Sequence, residues 1–349
     1  MGILPVHLTI DVEAAEARRR RGLLVPPLGY EPRVWGRFRN QNDELGLRRL
    51  ARDLKSRRLK ATFYVEPLGA RYFGLEGLRA IVACLYEHGQ DVQLHLHPTQ
   101  RDPEALLRGD PAPDDNMSAY PVEEQQQMLR EGADMLVDAG VPRERLVAFR
   151  AGNFGASNDT WHACRAAGFR LSSNYDPGYF DVACSMRHDA ARPDLFEPVE
   201  GLLELPISCV RTSRGGLRHL QVTALSALEM LAALEAMRAC HYAAATIVSH
   251  SFELYSIVDR DGTKGKPSLV NAWRWRRLLE FLERYADRFR TETAFDLVER
   301  IGNHSPVLEV EPPVPHTPPL YELLRFGEQA LKRIEPWMPL SLPRPWRSA

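Results

Sequence analysis

Asp91-Val-Gln-Leu-His-Leu-His-Pro98 alternates polar and apolar residues without a break. On a β-strand, side chains two apart point the same way, so Asp91, Gln93, His95 and His97 share one face and Val92, Leu94 and Leu96 pack behind it. Pro98 favours the extended conformation that this requires at His97. A solvated edge strand would carry Lys, Thr or Ser on its polar face, not two imidazoles converging on one point. Leu8-Thr-Ile-Asp-Val-Glu13 repeats the design, sending Thr9, Asp11 and Glu13 to one side and Leu8, Ile10 and Val12 to the other. Two carboxylates and two histidines are the materials of a metal site and a base.

Working outward, Ala61-Thr-Phe-Tyr-Val65, Leu146 to Phe149, Phe169 to Ser172, Leu202 to Leu205 and Ala245 to Ser249 are further short apolar strands, which brings the number to seven. Helical spacing fills most intervals between them. It predicts helices over Asp43 to Arg57, Gly74 to His88, Pro121 to Gly140 and through Trp161 to Ala167. Pro121 suits a first helical position, and Glu123 and Glu124 suit the positive end of the helix dipole. Ser226-x-x-Glu229 is a capping-box pattern, although that helix can also start at Thr223, and Ser268 suits the cap of a helix that buries Trp275, Leu278, Leu279 and Leu282. Strands alternating with helices pair in parallel, and strands this short favour an α/β barrel over an open sheet. Such barrels carry their active sites at the C-terminal ends of the strands, where Asp11, Glu13, His95, His97, Arg150 and His250 fall. Glu16 to Asn42, with its run Arg18 to Arg21, reads as a loop that either covers the site or is a solvated turn. Arg101 to Tyr120 has no periodicity, and Asp261-Gly-Thr-Lys-Gly-Lys266 lacks the spacing of a phosphate loop and reads as a mobile rim.

Among the 349 residues, Lys and Arg number 45 against 46 Asp and Glu, so there is no basic field and no nucleic-acid partner is expected. No apolar run is long enough for a membrane span and no leader pattern opens the chain, so a cytoplasmic location is expected. Five scattered cysteines (84, 164, 184, 209 and 240) without a C-x-x-C argue for free thiols and against a thiolate-ligated metal. Composition divides the chain at 1–305, the barrel, and 306–349, a tail with ten prolines and one amphipathic segment, Leu320 to Ile334. The tail is either a strap lying back on the barrel or a contact to a membrane surface or a partner.

The order of these motifs resembles the polysaccharide deacetylase family (NodB homology, carbohydrate esterase family 4) over about residues 6 to 300. Thr9-Ile-Asp11-Val-Glu13 stands where that family has Thr-Phe-Asp-Asp-Gly, and Gly89 to Pro98 takes the place of its metal-binding histidine motif. Phe149-Arg150-Ala-Gly-Asn153 replaces Arg-x-Pro-Tyr, and Ile247-Val-Ser-His250 looks like the late histidine motif. Asp11-Val-Glu13, His95-Leu-His97-Pro98, Arg150-Ala-Gly152, Leu203-Glu-Leu-Pro206 and His250-Ser-Phe-Glu-Leu254 are similar to a divergent, WalW-type branch. Val12 departs from the main family, where an aspartate is the usual ligand, and the histidines are two apart, not four.

The resemblance implies a distorted (β/α)7 barrel and a metal-dependent N-deacetylase acting on an acetylated amino sugar. Its cofactor would be a divalent metal, Zn2+, held by His95, His97 and one carboxylate; depth in the strand points to Asp11 as that ligand, with Glu13 as general base, whereas alignment with the family makes Asp11 the base, and both assignments stay open. Arg150 would orient one carboxylate bidentately, and His250, with Glu253 nearby, would protonate the departing amine. Trp35, Tyr64, Tyr175 and Tyr179 are candidates for stacking on a sugar or for packing. A glycoside hydrolase on a related barrel and a binding module without turnover are the alternatives.

Overall fold

The computed structural model describes residues 2–20, 22–180, 182–188, 193–302 and 312–335. All seven expected strands are present: β1 Leu4–Val12, β2 Thr62–Val65, β3 Asp91–Leu96, β4 Ala148–Ala151, β5 Leu171–Ser172, β6 Leu202–Glu204 and β7 Ala245–His250. They lie in the order β7-β1-β2-β3-β4-β5-β6 and every neighbouring pair is parallel. Parallel neighbours need a crossover, and the helices α1 Leu47–Ser56, α2 Leu75–Glu87, α3 Val122–Asp138, α4 Asn158–Ala166 and α5 Ala227–Ala239 supply it for all steps but β5 to β6. After β7 come α6 Leu269–Arg284, β8 Phe289–Thr291, which pairs with the start of β1, and α7 Ala294–Ile301.

The result is a curled, open mixed sheet with helices outside it, the distorted half-barrel that the motif order implies. It is open because β6 turns its free edge to an antiparallel strand, Phe196–Val199, and not to β7. Irregular chain spans that seam: Ser208 Oγ accepts from Thr246 N at 2.8 Å, Val248 N donates to Leu220 O at 2.8 Å, and Val222 N to Val248 O at 3.2 Å.

Alternation in β1 does what its sequence asks. Leu4, Val6, Leu8, Ile10 and Val12 share a hydrophobic cluster with Leu47, Leu50, Ala51 and Leu54, the one-sided stripe of α1. His7, Thr9, Asp11 and Glu13 take the other face and are also buried, which is affordable only because each meets a polar partner or loses its charge.

Local differences from the expected elements have local causes. The loop after β1 contains an antiparallel hairpin, Arg18–Arg20 with Leu23–Val25, turned at Gly22 with φ 79°, and a single helical turn at Glu31–Trp35. Helix α3 begins at Val122, so Pro121 is its cap and not its first residue. Ser226 and Glu229 form both bonds of the capping box, whereas Ser268 donates its hydroxyl to Glu335, whose carboxylate instead accepts from Leu269 N at the start of α6. Gly265, expected on a mobile rim, is held in a hairpin with Tyr255–Ile257 and by Asn40 and Gln41. A last helix, α8 Pro319–Ile334, lies against α5 and α6.

Candidate functional site

Parallel registration lines up the strand ends. Asp11 lies beside His250 on β7 and Tyr64 on β2, and His95 lies beside Arg150 on β4. Glu13 leaves β1 just beyond its end, and its Oε2 lies 2.6 Å from His97 Nε2 and 3.4 Å from His95 Nε2. One donor atom from each of Glu13, His95 and His97 falls within 4.8 Å of the others. The third member of the histidine cluster is thus Glu13; Asp11 is engaged elsewhere.

The second nitrogen of each imidazole is spoken for. His95 Nδ1 donates to the Arg150 carbonyl at 2.9 Å, and His97 Nδ1 to Asp115 Oδ2 at 2.9 Å. Both Nε2 atoms are thereby aimed at Glu13, and such outer bonds fix the tautomer that a metal needs. Asp115 is itself held by Thr99 Oγ1 at 2.6 Å and Asn153 Nδ2 at 2.6 Å. A Cβ at Gly152 would lie 2.3 to 2.6 Å from three atoms of the His97 ring, so that glycine is the floor on which the ring rests.

These donors fit a divalent ion. Two ligands about 2.0–2.1 Å from a tetrahedral ion stand roughly 3.3 Å apart. The Glu13–His95 spacing is already 3.4 Å, and the shorter Glu13–His97 contact is a hydrogen bond that an ion would replace. Burial alone would raise the Glu13 carboxyl, yet His97, His95 and Arg33 hold it well below its ordinary range. Arg33 Nη2 donates to Glu13 Oε1 at 3.0 Å and the guanidinium lies 3.2 Å from the centre of the Phe252 ring.

Arg150 is fully buried, and its fork is spread over several acceptors. Nη1 donates to Asp11 Oδ1 at 2.8 Å and Thr9 Oγ1 at 2.9 Å, Nη2 to Ser173 Oγ at 2.9 Å, and Nε to Ser173 O at 3.2 Å. It pairs with a carboxylate as expected, through one nitrogen and not bidentately. Glu204, from the Leu-Glu-Leu-Pro motif, accepts from Asn174 N and Tyr175 N and so pins the segment that holds Arg150.

His250 completes the inner row. Its Nδ1 donates to Glu253 Oε1 at 2.9 Å, and its Nε2 stands 3.9 Å from Asp11 Oδ2. Burial would lower its pKa, but Glu253, Asp11 and Glu13 raise it above the ordinary value. Gln221 Nε2 donates to Glu253 Oε1 at 2.5 Å and links it to His219, which donates from Nδ1 to Asp176 at 2.9 Å.

No family model matches the chain, and no curated protein does. Among solved structures it is similar to a protein of Mycobacterium smegmatis assigned as a polysaccharide deacetylase, at 18% identity and a TM-score of 0.48, covering 77% of this chain and 82% of that one. It is also similar to a peptidoglycan deacetylase of Bacillus subtilis, at 10% identity and 0.38 over 96% and 98% of the two chains. A 4-alpha-glucanotransferase of Thermococcus litoralis aligns at 11% identity and 0.49, over 96% of this chain and 48% of its own.

Of the candidate stacking residues, Trp35, Tyr64 and Tyr175 are buried and serve as packing, Tyr64 beneath the Arg150 guanidinium at 4.3 Å. Tyr179 is half-buried and stacks on His219 with ring centres 4.8 Å apart. A groove of about 460 Å³, lined by Arg18, Leu23, Arg33, Phe252, Ile257 and Arg260, reaches the site through Arg33 and Phe252. Sequence reasoning missed Asp115, Arg33, Gln221 and His219. The first two lie in stretches without periodicity, and nothing local marks the others.

Proposed function

We propose that this chain is a metal-dependent N-deacetylase of the polysaccharide deacetylase kind, which hydrolyses the acetamide of an amino sugar. One observation carries the reading: Glu13, His95 and His97 aim three donor atoms at a single point while Asp115 and the Arg150 carbonyl occupy the other imidazole nitrogens. Two imidazoles and a carboxylate suit zinc, and a divalent ion there supplies Lewis acidity toward a carbonyl and a water of pKa about 7. Glu13 is the anionic ligand in this proposal and Asp11 the general base, which reverses the assignment first drawn from strand depth.

The remaining residues divide the proton traffic. Arg150, itself steadied by Thr9, holds the Asp11 carboxylate in place, and Asp11 takes the proton of the attacking water. His250, its pKa raised by Glu253, donates from Nε2 to the amine nitrogen as the C–N bond breaks, and acetate leaves. The groove beside Arg33 and Phe252 offers room for the sugar and its carrier. The Asp-x-Glu, His-Leu-His-Pro and Arg-Ala-Gly sequences support the divergent branch of the family.

The test is elemental analysis of the purified protein together with an assay on acetylated amino sugars. One transition metal per chain and acetate release without new reducing ends are expected. New reducing ends would move the reading to a glycoside hydrolase; bound metal without turnover on any such sugar would move it to a binding module.

A further inference from the structure

Helix α8 is docked the wrong way round for an ordinary surface helix. Leu320, Leu323, Leu324, Gly327, Leu331 and Ile334 recur at helical spacing along one face, joined by Phe326, and that face is turned to solvent. Leu320 is 63% exposed, Leu323 65% and Phe326 57%. Surface helices normally bury such a stripe. Here the polar face meets the barrel: Glu322 accepts from Ser213 N and Oγ, Arg325 pairs with Glu229 at 2.6 Å, Glu328 with Arg274 at 2.6 Å, and Gln329 donates to Thr223 O.

Charge is segregated with the same consistency. Glu322, Glu328 and Glu335, the acids of this segment, are all engaged inward, Glu335 with Ser268 and Leu269 at the start of α6. The exposed face keeps Arg333 and no acid. Residues 336–349 hold Trp337, Trp346, Arg344 and Arg347 and no Asp or Glu. An apolar stripe about 24 Å long that bears Arg333 and no acid, and is followed in sequence by tryptophans and arginines, has the chemistry of a segment lying in the headgroup layer of an anionic bilayer. A protein partner would not need acids to be excluded from the whole face.

We infer that the exposed face of α8 seats the protein on an anionic membrane surface. The position of α8 gives this a purpose. Its ends meet the chain at Ser226 and Ser268, the caps of α5 and α6 on the side where the strands deliver Asp11, Glu13 and His250. A site whose rim rests on a membrane is presented to substrates carried on that membrane.

The test is flotation of the full-length protein with vesicles of phosphatidylcholine containing phosphatidylglycerol, against pure phosphatidylcholine. The wild type is expected to float with the anionic vesicles and about tenfold less with the neutral ones. Leu323→Glu with Phe326→Glu should lower anionic binding at least about tenfold at unchanged circular dichroism and metal content, since both side chains are mostly exposed to solvent. Arg333→Glu, a milder change, should weaken binding at low salt only. A wild type that stays in the aqueous fraction overturns the inference, as does a double variant that floats normally. A dimer in solution that the double variant dissolves would give the face to a second copy instead. None of these outcomes touches the deacetylase reading, which metal content and acetate release decide separately.

Discussion

Replacing Gly152 with alanine isolates the metal centre from the fold more cleanly than removing a ligand does. The new Cβ would lie 2.3 Å from His97 Cε1, 2.4 Å from Nδ1 and 2.6 Å from Nε2, whereas ordinary contact begins near 3.4 Å. The ring must therefore retreat by about 1.1 Å, the difference between 3.4 and 2.3. Nothing in the backbone resists this substitution, because Gly152 is not among the positive-φ glycines and the three nearest atoms all belong to the His97 ring. A retreating ring loses its bonds to Asp115 and Glu13 and its aim at the ion. Loss of an outer-sphere partner alone costs about 10- to 100-fold in metal affinity, so this change should cost at least about 100-fold, or roughly 2.8 kcal/mol. Competition against a chromophoric chelator measures the affinity, and thermal melting of the metal-free protein checks the fold. A Gly152→Ala protein that binds metal as tightly as wild type would refute the placement of His97 in the centre.

Four further outcomes follow from the same geometry. Glu13→Gln should strip the protein of metal, whereas Asp11→Asn should keep it and lose about 3 to 5 kcal/mol of transition-state stabilisation, read as kcat/KM; the opposite pattern would restore Asp11 as ligand. Arg150→Lys should be nearly as inactive as Arg150→Ala and should lose roughly 3 kcal/mol of stability to denaturant, because one ammonium cannot serve Asp11, Thr9 and Ser173 together. Glu253 raises the His250 pKa, and the acid role needs the protonated form, so Glu253→Gln should move the alkaline limb of the pH–rate profile to lower pH. His7 is buried with its pKa lowered from 6.5 to about 4, chiefly by burial. The unfolded chain binds the extra proton between those values, so stability present above pH 6.5 should fall by roughly 3 kcal/mol as pH drops to about 4, a slope that His7→Phe removes in urea titrations.

Periodicity carried most of the architecture. All seven strands were legible because each is short, apolar and bounded by a helix or turn, and β1 and β3 declared their faces through strict alternation. What periodicity cannot give is stagger between strands. Asp11 and Glu13 share a face, so either can meet the histidines until the register is known. Depth in the strand pointed to Asp11 as the ligand, but depth is what brings it to the buried guanidinium of Arg150, which needs an anion beside it. Glu13, with one more methylene and a place past the strand end, is the carboxylate that reaches His97. Asp115 and Arg33 were illegible for another reason: each arrives on a long connection between strands whose path is set by tertiary contacts.

The inverted docking of α8 also governs how this protein can be cut. Arg274 is wholly buried in α6, and beyond two backbone carbonyls its counter-charge is Glu328 of α8. A polypeptide shortened to residue 305, the boundary that composition suggests, would strip Glu328 from that guanidinium and Arg325 from the Glu229 carboxylate and uncover the faces of α5 and α6 on which α8 lies. Although its composition sets it apart, the C-terminal helix is a keystone of the barrel's own electrostatics, and fragments made for crystallisation or expression need to include it.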